Sequence, residues 1–131
     1  MNDARPFSLP GRARSFCHAF RGIAVLLAGQ HNARLHLAAT VLVVGLAAWL
    51  RVSRGEWGLL AGAIGLVWMA EALNTAVEEL ADAVHPDQHP GIGRAKDVAA
   101  AGVLLAAFAA AAIGILILGP RLLDALGGHA P

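Results

Sequence analysis

The chain has 131 residues, of which 57% are hydrophobic and 15% charged, and its mean hydropathy is +0.61. A soluble domain carries about 25% charged residues, so this balance points to the bilayer and away from a water-soluble globule. A formal net charge of +1 leaves no electrostatic footprint for a nucleic acid, and the single cysteine, Cys17, excludes an internal disulfide.

The length suits one domain. Residues 1–14 read as a basic leader with Arg5, Arg12 and Arg14. Together with Arg21 they leave no apolar core between them, which is not the pattern of a secretory signal peptide. Residues 15–29, "SFCHAFRGIAVLLAG", are apolar but too short to span hydrocarbon. Phe16, Phe20, Ile23 and Leu27 recur at helical spacing, with Ser15 as the expected N-cap and Gly29 as the expected end. The prediction is a helix lying in the membrane interface, apolar side down.

Three longer apolar stretches follow. Spans are expected at about 33–51, 56–84 and 96–119, so that one membrane domain covers 15–121 and a short tail covers 122–131. The segment "RVSRGE" (51–56) reads as a tight turn. "HPDQHPGIGRAK" (85–96), with two prolines and two glycines, reads as a loop. Pro120 is taken as the end of the third span. Seven basic residues (Arg5, Arg12, Arg14, Arg21, Arg34, Arg94 and Lys96) flank one side, and three (Arg51, Arg54 and Arg121) flank the other. The excess places the N-terminus and the 85–96 segment in the cytoplasm and the C-terminus outside. The small residues of the third span, Ala99–Ala101 and Gly102 among them, suit close helix packing in lipid, so self-association is expected.

The unusual stretch is "EALNTAVEELADAV" (71–84), which continues the second span straight into acid. At about 100° per residue, Glu71, Asn74, Glu78 and Asp82 fall within a narrow arc of one helix face, and Glu79 lies about 80° away. The arc is a column of oxygen ligands ~16 Å long. Glu71 stands deepest, and the span is long enough only if the helix runs past it. Ionisable side chains at that depth point to function. Lys96 and Asp97 enter the third span at the same edge, so carboxylates, an amide and a lysine meet there. That set favours a hard divalent cation with a phosphate-bearing ligand. The simpler alternatives are that such carboxylates reach headgroups and that Lys96 ties the helices by pairing with Glu78 or Asp82. "GIGRAK" lacks the spacing of a phosphate-binding P-loop, and His85 with His89 in a proline-rich segment is weak evidence for a metal.

With three spans, an interfacial helix, "EALNTAVEELAD" and "GRAKDVAAAGVLL", the sequence resembles the small integral-membrane lipid kinases of bacteria, the prokaryotic diacylglycerol and undecaprenol kinases. The resemblance runs from about Ser15 to Gly119. It implies an all-α membrane protein, three transmembrane helices plus the N-terminal interfacial helix, in a homotrimeric bundle in the bacterial inner membrane. It implies ATP and Mg²⁺ arriving from the cytoplasm and a lipid alcohol from the bilayer. Under it Glu71 is the general base, Asn74 the amide beside it, and Glu78 a Mg²⁺ ligand. Lys96 and Asp97 face the nucleotide, as does Asp82 at the column's top. Asp87 and His89 sit where the family has an acidic-x-His segment near the nucleotide. One departure stands out: "GQHNARLHL" has Gln30 where the family often has a second metal-binding glutamate, so Gln30 offers an oxygen without a charge.

The implied reaction is ATP-dependent phosphorylation of a membrane alcohol, diacylglycerol to phosphatidic acid, or equally undecaprenol to its phosphate. Desolvation by lipid and the neighbouring Glu78 both make Glu71 a better base for an alcohol. Two other readings stay open at this point. One is a cation transporter or channel subunit using the acidic column. The other is a degenerate, non-catalytic relative.

Overall fold

A computed structural model describes residues 9–85 and 89–127, all of them in four helices and their short connections. In chain order these are α1 (Leu9–Gly29), α2 (His31–Trp49), α3 (Arg54–Val84) and α4 (Pro90–Leu126). No strand occurs among the described residues. The last three helices are long and apolar enough to cross a membrane.

α1 begins at Leu9, ahead of the expected Ser15. Pro10 in its first turn suits a helix start, because proline has no N–H to lose there. Ser15 is therefore inside the helix, where its Oγ donates to the Gly11 carbonyl at 3.2 Å and caps nothing. Phe16, Phe20 and Ile23 remain exposed, an apolar side unused by the rest of the chain, while Leu26 is buried.

A single residue, Gln30, separates α1 from α2; its extended backbone (φ −104°, ψ 123°) turns the corner. Arg34 braces this corner by donating to the carbonyls of Ala28 (2.8 Å) and Leu27 (3.5 Å) at the end of α1. Those carbonyls belong to the last turn, which has no partners within its own helix.

The α2–α3 turn is tight and heavily bonded. Ser53 caps α3, its Oγ accepting from Glu56 N–H, while the Glu56 carboxylate accepts from Ser53 N–H at 2.6 Å. This reciprocal box satisfies two donors at the helix start. Arg51 takes up a left-handed conformation (φ 51°) to close the turn.

The expected loop over 85–96 is only its first part. α4 starts at Pro90, with His89 as N-cap, so Gly91, Gly93, Arg94 and Lys96 are helical. The Pro-Gly composition suggested a loop, but proline at N1 is favoured, and a capping imidazole supplies the missing partner. The helix also continues through Pro120 to Leu126. Arg121 explains why it goes on: its guanidinium grips the Glu56 carboxylate at 2.7 and 3.0 Å and reaches the Leu50 carbonyl at 3.5 Å. That tie fixes α4 beyond the proline against the α2–α3 turn.

α3 packs chiefly against α4, with α2 laid across both. The buried core, Ala47, Val52, Leu60 and Leu118, gathers at the end of the bundle where the α2–α3 turn meets the close of α4. Val41, Leu42, Leu105 and Leu116 are mostly exposed, an outward apolar surface that suits lipid or a second copy. From Arg54 to Glu71, α3 rises ~25 Å, within a hydrocarbon core of about 30 Å.

Replacing Arg51 by glycine removes the left-handed penalty at the turn. Arg51→Gly is expected to stabilise the protein by about 1 kcal/mol, seen as a raised midpoint of thermal unfolding in detergent micelles.

Candidate active site

Burial falls steadily along the acidic column of α3. Glu71 is 1% exposed and Asn74 5%, Glu78 is half-buried, and Asp82 is exposed. The helix thus carries its carboxylates from a dry interior to the surface over three turns. Glu79, off the column, is exposed. With His18, Arg21 and the buried Thr75 it lines a separate cavity of about 460 Å³ between α1 and α3.

The middle of the column is organised around Glu78. Asn74 Nδ2 donates to Glu78 Oε1 at 3.0 Å, one turn along the same helix. Gln30 Nε2 approaches the other carboxylate oxygen at 3.5 Å from the α1–α2 corner. The two side chains therefore meet across 48 residues of sequence, and they do so because the extended backbone at Gln30 turns the chain there. With its Nδ2 committed, Asn74 leaves Oδ1 buried without a donor; Glu71 Oε2 is in the same condition. Buried acceptors without partners are costly, and together they suit a visiting cation or a hydroxyl proton.

At the surface end Lys96 pairs with Asp82, joining α4 to α3. Asp97 is exposed beside it. His89 is turned back on its own helix, Nδ1 accepting from Gly91 N–H at 3.1 Å, and its ring stands 5.5 Å from that of His85. Asp87 lies outside the described residues. Among the described residues no group of three His, Cys, Asp or Glu side chains is placed to hold a metal by itself. Glu78 supplies the single carboxylate, with amide oxygens of Asn74 and Gln30 within turning distance. That donor set fits Mg²⁺ carried on phosphates, which keeps waters and takes one or two carboxylates. It does not fit an all-protein cage.

Sequence reasoning missed three residues that shape the site. His36 on α2 sets its Nε2 3.8 Å from Glu71 Oε2. Thr40, one turn on, donates to the His36 carbonyl at 2.7 Å, and its hydroxyl accepts from Trp68 Nε1 of α3 at 3.1 Å. An imidazole inside an apolar span was a legible signal, since titratable groups in spans are rare and purposeful. The Thr40–Trp68 bond had no signal, because it joins residues 28 positions apart. An open apolar groove of about 460 Å³ runs from His36 past Thr40, Leu60 and Ala107 to Leu122.

The profile of the prokaryotic diacylglycerol kinases matches residues 17–118, most of the chain and all of the column. The chain belongs to the prokaryotic diacylglycerol kinase family. Membership makes it a lipid kinase, and with its three apolar helices a multi-pass membrane protein. Undecaprenol kinase of Bacillus subtilis is 36% identical over 109 residues, covering 83% of this chain and 89% of that protein. Diacylglycerol kinase of Synechocystis is 38% identical over 116 residues, 88% of this chain and 66% of that protein. Diacylglycerol kinase of Escherichia coli K12 is 33% identical over 89 residues, 68% and 73% respectively.

The Thr40–Trp68 bond ties α2 to α3 one turn from His36. Trp68→Phe deletes the donor and keeps most of the ring, so it is expected to cost about 1 kcal/mol, measured as a lowered thermal midpoint in detergent.

Proposed function

We propose that the protein transfers the γ-phosphoryl group of ATP to the hydroxyl of a membrane lipid alcohol. The single observation that carries this is Glu71, a carboxyl group buried at 1% exposure with Oε2 unpartnered, one turn from the Asn74–Glu78 pair. A base at lipid depth beside an oxygen cluster nearer the water is what this reaction needs. Phosphoryl transfer asks mainly for positioning and charge neutralisation.

Glu71 takes the proton of the lipid hydroxyl as its oxygen attacks the γ-phosphorus; the bond from that phosphorus to the bridging oxygen breaks, and ADP leaves. Glu78 would hold Mg²⁺ brought in with the nucleotide, and the amide oxygens of Asn74 and Gln30 would supply the rest of the protein's share. When bound, the ion neutralises charge on the transferred group and its leaving oxygen. The amide at Gln30 keeps an oxygen at that place but no charge, so the nucleotide's own phosphates would carry more of the ion's charge balance. Lys96, Asp97 and Asp82 form the nucleotide's rim, with Asp87 and His89 on the adjoining segment. Lys96 exchanges Asp82 for phosphate as the nucleotide enters. The apolar groove ending at His36 gives a lipid chain a path to Glu71.

The reading extends to the assembly. The exposed apolar faces of α2 and α4 suit lipid or further copies of the chain. We read the assembly as a homotrimer in the bacterial inner membrane, and the excess of basic residues favours a cytoplasmic N-terminus and α3–α4 connection. The acceptor is diacylglycerol or undecaprenol, the two alcohols that the relatives' names supply. A cation pathway is not served, because beyond His36 and Thr40 the groove leading away from the column past Leu60 and Ala107 to Leu122 is lined by apolar side chains and glycines.

Protein in lipid vesicles with Mg·ATP should phosphorylate one or both alcohols presented side by side, and the ratio of kcat/KM values identifies the acceptor. Glu71→Gln should lower kcat by about 10²–10⁴-fold, the range for loss of a general base, with KM for Mg·ATP little changed. Glu78→Ala should chiefly raise the Mg²⁺ concentration needed for half-maximal rate. Undiminished activity in Glu71→Gln refutes the assignment of the base.

A further inference from the structure

Among the described residues, His36 alone forms an ion-pair contact with Glu71, Nε2 to Oε2 at 3.8 Å. The oxygen it faces, Oε2, is buried without a hydrogen-bond donor. A carboxylate in a low-dielectric interior without a partner is strongly disfavoured. One free to rotate would present either oxygen, or neither, to an incoming hydroxyl. His36 is only one-fifth exposed in its side chain and also lines the end of the apolar groove. It therefore touches both the path of an apolar chain and the carboxylate at the path's end. Opposite it, the α4 wall of the groove (Ala107, Ala110 and Ala111) carries no polar side-chain atom.

The ring does not hang loose. Thr40 donates to the His36 carbonyl, and Trp68 donates to Thr40, so the turn of α2 that bears the imidazole is pinned to α3 close to Glu71. A contact of 3.8 Å is longer than a hydrogen bond, but bonds that serve catalysis are often long before the substrate is bound and tighten in the complex.

Taking Glu71 as the base, which rests on the function proposed above, we infer that His36 is a positioning residue. Its Nε2–H holds Glu71 Oε2 so that Oε1 faces the lipid hydroxyl. The imidazole acts through the carboxylate and not on the substrate. It belongs to the chemical step and not to nucleotide binding, which lies farther along the column at Glu78.

The test uses the full chain in lipid vesicles, with diacylglycerol and undecaprenol each offered as acceptor. His36→Leu should lower kcat about 100-fold, at the low end of the effect of a misplaced base, with KM for Mg·ATP unchanged. His36→Gln, whose amide N–H reaches much as Nε2 does, should recover to within about tenfold of the parent. His36→Asn, too short to reach Oε2, should not. In a Glu71→Gln background His36→Leu should cost nothing further, because the group it orients is gone. A folded His36→Leu protein with the parent's kcat overturns the inference and leaves the base at Glu71 standing. If His36→Leu does not fold, equal rates for the Gln and Asn variants overturn it instead. A parent protein that phosphorylates neither alcohol removes the kinase reading and this inference with it.

Discussion

The structure turns on one carboxylate held where water does not reach. Glu71 sits 1% exposed on one of the three helices that are long and apolar enough to cross a membrane. A group of this kind is retained only when something nearby justifies the expense. Here the neighbours are an imidazole from another helix and, one turn along, an amide already engaged with the next carboxylate. The placing of α2 against α3 follows from that need. Its corner at Gln30 delivers an amide to Glu78, and its next turns deliver His36 to Glu71 and Thr40 to Trp68.

The bundle divides into two unlike ends. At one, Ala47, Val52, Leu60 and Leu118 close into a dry core, sealed by the Ser53–Glu56 capping box and the Arg121 clamp. Every charged group there that enters a bond finds a geometric match. At the other, oxygen atoms are left without donors and a half-buried carboxylate is shared between two amides. Satisfied bonds are concentrated where no chemistry is proposed, and unmet hydrogen-bonding capacity where it is. That asymmetry is what a site awaiting polar ligands requires, since a satisfied cluster has nothing left to offer.

Much of this was legible before any coordinates. Helical arithmetic alone put Glu71, Asn74, Glu78 and Asp82 on one face, and the same arithmetic set Glu79 apart. The helix ends were harder. Prolines at 10, 90 and 120 carry two meanings: two stand in a first turn, where a missing N–H costs nothing, and one lies inside a helix held on course by Arg121. Composition does not separate these cases, because the deciding partners lie elsewhere in the fold. The Arg121–Glu56 clamp joins residues 65 apart. His36 was overlooked for a different reason. An imidazole counted as neutral does not interrupt an apolar run, although inside a span it has the same need of a partner as any other titratable group.

The corner at Gln30 couples two environments. α1 presents Phe16, Phe20 and Ile23 outward, so its depth is set by whatever surface it rests on. Between that helix and the rest of the bundle lies one residue, and Arg34 clamps the joint by gripping the last carbonyls of α1. A clamped joint of one residue transmits tilt with little slack. The residue at the joint is also the one whose amide approaches Glu78 at 3.5 Å, a contact long enough to be made or broken by a small rotation. A change in the tilt of α1 would act first on that contact, because the joint and the amide are the same residue.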